Sequence, residues 1–414
     1  MSFKAPRGTQ DILPGVTEKW QKLEKIFSDF AKKYGYNEIR TPIFESTDLF
    51  QRGVGEETDI VSKQMYSFES RGGEGLTLRP EGTAPTVRAV IQNNLISQGG
   101  ITKLYYMGPI FRYERPQKGR YRQFHQVGAE AFGSTGPLID AELLEFASNF
   151  LNELGIRYKL ELNSVGCSEC RPVYRANLRD FLKSKLPELC DDCARRYETN
   201  PLRILDCKVE SCINSVKDAP YITESLCNDC SEHFIGLKQY LSVLKVPYVL
   251  NPKIVRGLDY YTKTAFEFIA EGLGSQSTVL AGGRYDGLVK ELGGQSVPAI
   301  GFAAGIERLI DSSSEKSLEI ENNKIIYFAA IGENAKLIAL PTIQKLRLNG
   351  IRVEYNYENK SLKAQLRDAN RFNAYKVVII GDNEINDGVA VIRNMIDSTQ
   401  EAVALNEIFI NITK

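Results

Sequence analysis

Between Lys103 and Arg122 the chain carries six cations, Lys103, Arg112, Arg115, Lys118, Arg120 and Arg122, against a single acid, Glu114. Like charges at that density repel one another, and an anionic partner is the natural explanation for them. Arg112 and Glu114 are two residues apart, a spacing that on a strand turns both to one face. A guanidinium grips a phosphate through parallel donors, while a carboxylate accepts from an amino group. The pair therefore suits a nucleoside triphosphate. A second chemistry is carried by sulfur. All eight cysteines lie between Cys167 and Cys230, as Cys167-x2-Cys170, Cys190-x2-Cys193, Cys207-x4-Cys212 and Cys227-x2-Cys230. Four thiolates complete a tetrahedral zinc site, so eight make two. One zinc with four spare thiols, redox pairs and a cluster without metal are the other readings. In chain order the pairs combine as Cys167/Cys170 with Cys190/Cys193 and Cys207/Cys212 with Cys227/Cys230; an interleaved pairing is equally allowed.

The elements that must position these groups follow from periodicity and breakers. Tyr105 to Arg112 reads as a strand, Pro116 and Gly119 bound a turn, and Phe124 to Val127 resumes a strand, giving a hairpin with a long basic loop. Trp20, Leu23, Phe27, Phe30 and Tyr34 step by three and four, an amphipathic helix from Thr17 that Gly35 ends. Ile39 to Phe44 reads as a strand whose Pro42 confines it to an edge or bulge, and Phe50 to Ser62 as a loop or short turns. Strands at Met65–Phe68 and Gly75–Arg79 precede a helix that Thr83 is placed to cap, which leaves Glu81 at a strand-to-helix junction, facing a ligand. Asp140 is placed to cap a helix from Ala141 to Leu154. The cysteine-bearing region, 167–246, is helical in pattern and interrupts an antiparallel sheet whose later strands lie near 266–269 and 277–280. A helix is predicted over Ala303–Ile310. After a polar linker at Asp311–Lys316, strands near 325–330, 351–355, 377–380 and 389–392 alternate with helices over 334–348 and 361–372, and a last helix is predicted over 402–412. That is a small α/β domain of about 90 residues.

The chain's 414 residues argue for two to four domains. Formal net charge is zero, so any nucleic-acid contact is local. No run of about 18 apolar residues spans a membrane, and Met1–Pro6 has no apolar signal core. The reading is of a cytoplasmic protein.

The stretch Tyr105–Glu130 resembles motif 2 of the class II aminoacyl-tRNA synthetases, and specifically of the histidyl-tRNA synthetases. Arg256-Gly257-Leu258-Asp259-Tyr260-Tyr261 and Ala281-Gly282-Gly283-Arg284-Tyr285-Asp286-Gly287-Leu288 resemble that family's two histidine signatures, and Gly301–Leu309 resembles class II motif 3. The likeness covers nearly the whole chain. It implies an α+β fold: an antiparallel-sheet catalytic domain in two parts (1–166 and 247–311), the cysteine-rich helical insertion (167–246), a linker (312–323) and an α/β anticodon-binding domain (324–414). It makes Ile39–Phe44 motif 1, with Pro42 at a homodimer interface. It implies activation of L-histidine with ATP and Mg²⁺, then transfer to tRNA(His). The resemblance assigns Arg112 and Arg256 to the α-phosphate, Glu114 to the adenine amino group, Phe124 to the adenine ring and Arg308 to the γ-phosphate. It assigns Glu81, Thr83 and Gln126 to the histidine ammonium, Glu130 and Tyr261 to the imidazole, with Tyr260 and Tyr285 in the same pocket, and Gln117, Lys118 and Arg120 to the tRNA acceptor end. His125 reads as a structural residue. The eight cysteines are a departure, since the family has no general need of them; the insertion is expected to lie away from the chemistry, with any zinc structural. A regulatory paralogue of the same fold, supporting ATP phosphoribosyltransferase, is the rival reading. The presence of Arg112, Glu114, Arg256 and Arg308 speaks against it.

Overall fold

The basic stretch forms the predicted hairpin. Strands Thr102–Phe111 and Gln123–Phe132 pair antiparallel along their whole length, Thr102 opposite Phe132 and Phe111 opposite Gln123. The computed structural model describes residues 3–55, 58–96, 100–117, 119–254, 260–272, 277–319 and 324–413. The chain divides into two compact units, Met1–Ile320 and Glu321–Lys414.

In the first unit the hairpin belongs to an eight-stranded sheet. Its order is Asn37–Glu38, Thr102–Phe111, Gln123–Phe132, Ala299–Gly305, Thr278–Arg284, Thr262–Ala270, Tyr158–Ser164 and Val249–Leu250. The six long strands are antiparallel, and only the two-residue edge strands pair in parallel. The period of two divides labour between the faces. Val127, Ala129, Ala131, Ile300 and Phe302 point to one side, where Leu23 and Phe27 of helix Thr17–Lys33 and Phe146 and Phe150 of helix Leu138–Glu153 complete the main core. The alternate residues Gln126, Gly128, Glu130, Ala281, Gly283, Gly301 and Ala303 face the other way, and most of them are small. A face of small residues opposite a packed face leaves room for a cavity. Helix Thr83–Gln92 and a three-stranded sheet (Phe44–Ser46, Gly75–Leu78, Tyr66–Glu69) flank that side.

Several local expectations fail for physical reasons. Residues 50–54 are not loop but belong to helix Thr47–Val54: Gly53 is used for close packing, since a Cβ there would touch Ala84 and Leu292 at 3.4 Å. Ile39–Phe44 is not one strand. Pro42 has no donor to give a ladder, and the Arg79 guanidinium instead holds Thr41 through its carbonyl (3.2 Å) and hydroxyl (3.1 Å). Asp140 caps nothing: the helix starts at Leu138, and Asp140 is buried in its first turn. The segment 303–305 remains strand, with Ala303 paired to Ala281 and Gly128, so the helix begins only at Ile306. The polar run 311–316 is packed rather than free: Ser314 N–H donates to Leu154 O at 3.0 Å, and Leu318 is buried in the main core.

The insertion lies between strands Tyr158–Ser164 and Val249–Leu250. Helices Cys170–Lys183, Asp191–Thr199 and Glu210–Ser215 enclose a small core of Tyr174, Leu178, Leu182, Ile204, Val216 and Ile222, while helix Asn228–Val243 packs Phe234, Leu237 and Leu241 into the main core.

The second unit is a five-stranded sheet ordered Val353–Tyr355, Ile326–Ala330, Lys376–Ile380, Val389–Asn394 and Gln400–Ala404. The first three are parallel and the last two antiparallel. Helices Glu333–Leu348 and Leu362–Arg371 cover its faces. Residues 402–404 are strand because they pair with Val389, Ala390 and Val391 in a hairpin closed at Arg393 and Gln400, so the last helix is only Ile408–Thr413. Of the basic residues on the second helix and its approach, Lys360 and Arg371 are paired with Asp368 at 3.0 and 3.3 Å. Among the described residues no helix is long and apolar enough to cross a membrane.

Arg284 and Asp140 form an ion pair with no exposed side-chain surface. Arg284 also donates to Ser134 O (2.8 Å), Gly136 O (3.2 Å) and Asp286 (3.0 Å), while Thr264 Oγ1 donates to Asp140 at 2.6 Å. Removing one member strands a buried charge. Asp140→Ala should therefore cost the first unit about 3–5 kcal/mol of unfolding free energy. Trp20, the one tryptophan of the chain, reports on that unit by its fluorescence in urea; a loss under about 1 kcal/mol would be the behaviour of a surface pair.

Candidate active site

The cavity on the small-residue face encloses about 410 Å³ and is lined by Glu81, Arg112, Glu114, Arg120, Phe124, Gln126, Tyr260, Tyr261, Tyr285 and Arg308, among others. Its shape depends on side chains that are missing. A Cβ on Gly301 would run into the Glu130 carboxylate, and one on Gly128 or Gly82 into the Tyr106 ring. None of these three glycines has a left-handed backbone. They are needed for space, not for a turn.

One end of the cavity is cationic. Arg112 lies just past the end of its strand, with its Nε–H donated to Pro80 O at 2.8 Å and its guanidinium over the Phe124 ring, 5.4 Å from the centroid. Glu114 also lies beyond the strand. Both line the cavity because the chain turns there, Glu114 N–H donating to Arg112 O at 2.8 Å, and not because of strand alternation. Arg120 Nη1 stands 3.3 Å from Glu114 Oε2, and Gln117 and Arg120 close the hairpin tip through backbone bonds of 2.8 and 3.2 Å. Arg308 donates to Gly119 O (3.2 Å) and Thr278 O (2.9 Å), tying the helix after the last cavity strand to that tip. Burial lowers the pKa of Arg112 and of Arg308; Arg120 pushes both the same way, and Glu114 opposes. Three guanidiniums held where each disfavours the next make a site that favours an anion. Arg256 and Lys118 lie outside the described residues.

The other end is acidic and phenolic. Glu81, not Thr83, caps helix Thr83–Gln92: its carboxylate accepts from Thr83 N–H and Ala84 N–H, each at 2.7 Å. Thr83 has a different task, donating its hydroxyl to Glu130 Oε1 at 2.8 Å. Tyr285 OH donates to the other oxygen of Glu130 at 2.5 Å. Burial raises the Glu130 carboxyl to about 8, with both of these donors opposing; burial raises Glu81 as well. Tyr260 and Tyr261 pack with centroids 4.7 Å apart, and the Tyr261 ring lies over Gly283. Gln126 Oε1 is buried with no hydrogen-bond partner among the described residues. His125 is structural, as expected. Its N–H donates to Glu307 at 3.0 and 3.1 Å, and its ring meets Trp20 edge-on. Glu307 also lines the cavity, a role that the sequence reading missed.

The cysteines form two groups of four, each with its sulfurs within 4.8 Å of one another, but not in either chain-order combination. Cys167 and Cys170 meet Cys227 and Cys230, while Cys190 and Cys193 meet Cys207 and Cys212. The nesting follows from folding: the outer pairs stand at the two ends of the helical insertion and the inner pairs inside it. Sulfur separations of 3.7 Å (Cys167–Cys170 and Cys167–Cys227) and 3.9 Å (Cys190–Cys207) match the roughly 3.8 Å edge of a tetrahedron with 2.3 Å from centre to corner. The insertion is not remote from the chemistry either, because Asp206 and Lys208, the neighbours of Cys207, line the active cavity.

An antiparallel sheet with a nucleotide-sized, arginine-walled cavity on one face, joined to a separate mixed-sheet unit, defines a class II aminoacyl-tRNA synthetase. Comparison with known proteins narrows the class. The profile of the family described as Histidyl-tRNA synthetase matches residues 8–309, and that described as Anticodon binding domain matches residues 325–414. A protein of Caldanaerobacter subterraneus subsp. tengcongensis named Histidine--tRNA ligase is 49% identical over 411 residues, 99% of each chain. One of the same name from Thermoanaerobacter sp. is 50% identical over 411 residues, 99% of this chain and 98% of that one. The crystal structure of apo S. aureus histidyl-tRNA synthetase superposes with a TM-score of 0.83 at 37% identity, covering 100% of both chains. This chain belongs to the histidyl-tRNA synthetase family.

Glu130 yields a prediction with a definite sign. Its carboxyl keeps its proton in the folded protein up to about 8, from an ordinary value of 4.5. A folded pKa above the unfolded one gives stability that is complete at low pH and lost as pH rises through that window. Glu130→Gln does not titrate. The melting-temperature difference, variant minus parent, should thus rise between about pH 5 and about pH 8.5. A difference that stays level across that range contradicts the assignment.

Proposed function

We propose that this chain is a histidine--tRNA ligase, forming histidyl-adenylate from L-histidine and ATP with release of diphosphate, then passing histidine to tRNA(His) with release of AMP. The observation that carries the reading is the polarity of one cavity: guanidiniums at one end, and a buried acid–phenol pair at the other, in a chain of this family.

Adenylate formation joins a histidine carboxylate oxygen to the α-phosphorus and breaks the bond to diphosphate. Charge gathers on the α-phosphate as it becomes five-coordinate, and preformed cations lower that barrier most. Arg112, already fixed through Pro80 O, carries this role, with Arg256 as the second cation. Glu114 takes the adenine amino group and Phe124 the ring, while Arg308 takes the γ-phosphate. Glu267 and Glu307, which line the cavity, are carboxylates of the kind that would hold Mg²⁺ beside phosphate; the ion would supply positive charge to the diphosphate leaving group. Glu81, Thr83 and Gln126 bind the ammonium group, and the lone acceptor on Gln126 Oε1 supports this. Glu130 and Tyr261 bind the imidazole, with Tyr260 and Tyr285 lining the pocket. The carboxyl of Glu130, raised by burial, selects an imidazole over an aliphatic chain because its hydrogen bond is wasted on anything else.

Three finer assignments complete the reading. Each cysteine group holds a zinc ion, supported by the sulfur separations. The protein is a cytoplasmic homodimer, as family resemblance implies: cysteines that are all free suit a reducing compartment, and Phe44 and Phe68 of the small sheet leave 51% and 47% of their surface exposed beside the Pro42 segment, an apolar patch suited to a second copy. The loop tip at Gln117, Lys118 and Arg120 serves the tRNA acceptor end, and the second unit serves the anticodon.

Removing one transition-state donor costs about 3 kcal/mol. Arg112→Ala should lower kcat for adenylate formation roughly a hundredfold or more with histidine affinity largely kept; an unchanged kcat removes Arg112 from the chemistry. The hairpin tip separates the two half-reactions. Gln117 is exposed, so Gln117→Ala should slow transfer to tRNA and spare adenylate formation. Arg120→Ala should slow both, since Arg120 is paired to Glu114. Single-turnover transfer measured beside adenylate formation distinguishes them, and equal damage from both variants would move the whole tip onto ATP.

A further inference from the structure

The inner cysteine group stands where the insertion meets the active cavity. Asp206 and Lys208 are the two insertion residues in the cavity wall, and Cys207 between them gives its sulfur to the group of Cys190, Cys193 and Cys212. Residues 206–209 belong to no helix or strand, lying between the turn Pro201–Ile204 and helix Glu210–Ser215. Little else pins them: Cys207 N–H donates to Ile204 O at 3.1 Å, and Lys208 Nζ is 2.9 Å from Asp206 Oδ1. The same group stands beside a second contact with the catalytic frame. Arg196, three residues past Cys193, and Arg203, four before Cys207, both approach Asp59, at 3.6 and 3.5 Å. The outer group serves another place. Cys167, Cys170, Cys227 and Cys230 join the ends of the insertion near Arg171, which donates to Tyr261 O, and near Asp229, paired with Lys263 at 2.8 Å.

We propose that metal bound by Cys190, Cys193, Cys207 and Cys212 is a positioning element for the nucleotide: it fixes the 206–208 segment so that the Lys208 ammonium stands at the cavity mouth as a binding charge for the polyphosphate of ATP. This rests on the ligase reading and on the assignment of zinc. Lys208 is largely exposed, its side chain at 85%, so its role is in binding from the rim and not at the reacting phosphorus. A single lysine on a mobile stem contributes little unless its backbone is held. Four thiolates gathered round one ion are the available constraint, because the segment is neither helix nor strand. Lys208 exchanges its contact with Asp206, at 2.9 Å, for one with phosphate.

The test uses the full chain purified without a metal-binding tag, compared with Lys208→Ala, Lys208→Arg and the double variant Cys190→Ser, Cys207→Ser. Zinc is counted by elemental analysis. Affinity is measured by titration with a non-hydrolysable ATP analogue and, separately, with histidine, and the ATP KM by diphosphate exchange. The parent should hold two zinc ions and the double cysteine variant one. Lys208→Ala should keep both ions. The double variant and Lys208→Ala should each weaken analogue binding and raise the ATP KM about three- to tenfold, with kcat and histidine affinity little changed, and Lys208→Arg should restore most of the loss. Unaltered nucleotide affinity in Lys208→Ala overturns the proposal, whatever becomes of the cysteine variant. Loss of one zinc with unaltered nucleotide affinity overturns it too, and leaves the zinc assignment standing. A parent without zinc overturns both. A parent with two zinc ions but no histidine-dependent exchange refutes the ligase reading instead.

Discussion

The Glu130 carboxyl, 1% exposed, is the constraint on which the cavity depends. Thr83 and Tyr285 each give it a hydroxyl, from segments far apart in the chain. Thr83 is fixed because Glu81 caps its helix. Tyr285 is fixed because the preceding residue, Arg284, is locked to Asp140, Ser134 and Gly136. One line of contacts thus runs from a buried ion pair to the two buried acids at one end of the cavity. Gly301 keeps the line open, since any side chain there would displace the carboxylate. Burial without a cation raises the carboxyl's pKa, and such a group gains from a partner that exchanges hydrogen bonds with it.

Charge is separated within the cavity although the chain as a whole carries none in net terms. Arg112, Arg120 and Arg308 gather at one end, with Glu114 bracing Arg120. With no net charge on the chain, the attraction for polyanions comes from the local distribution of charge. The cations repel one another while the cavity is empty. An anion would relieve that repulsion, and the bond from Arg308 to Gly119 O ties the cationic end to the hairpin tip.

Much of this was legible from sequence because its signals are local. The period of helix Thr17–Lys33 and the two strands of the basic hairpin are set by residues close in the chain. Glu81, Arg112, Glu130 and Tyr285 were legible through motif resemblance, and they do come together. What failed depends on tertiary contact. Asp140 has the type of a cap, but its partner Arg284 is 144 residues away. Gly53 looks like a breaker until Ala84 is seen against it. The nested cysteine pairing follows from how the insertion doubles back, which spacing does not encode. Asp206 and Lys208 carried no motif at all; their one signal was adjacency to Cys207.

The central claim is that this cavity activates histidine and no other amino acid. ATP–diphosphate exchange, run with each of the twenty amino acids in turn, addresses it most directly. Histidine alone should support exchange if Glu130 takes the imidazole, as proposed. Exchange supported equally by a second amino acid, or by none, would contradict the account.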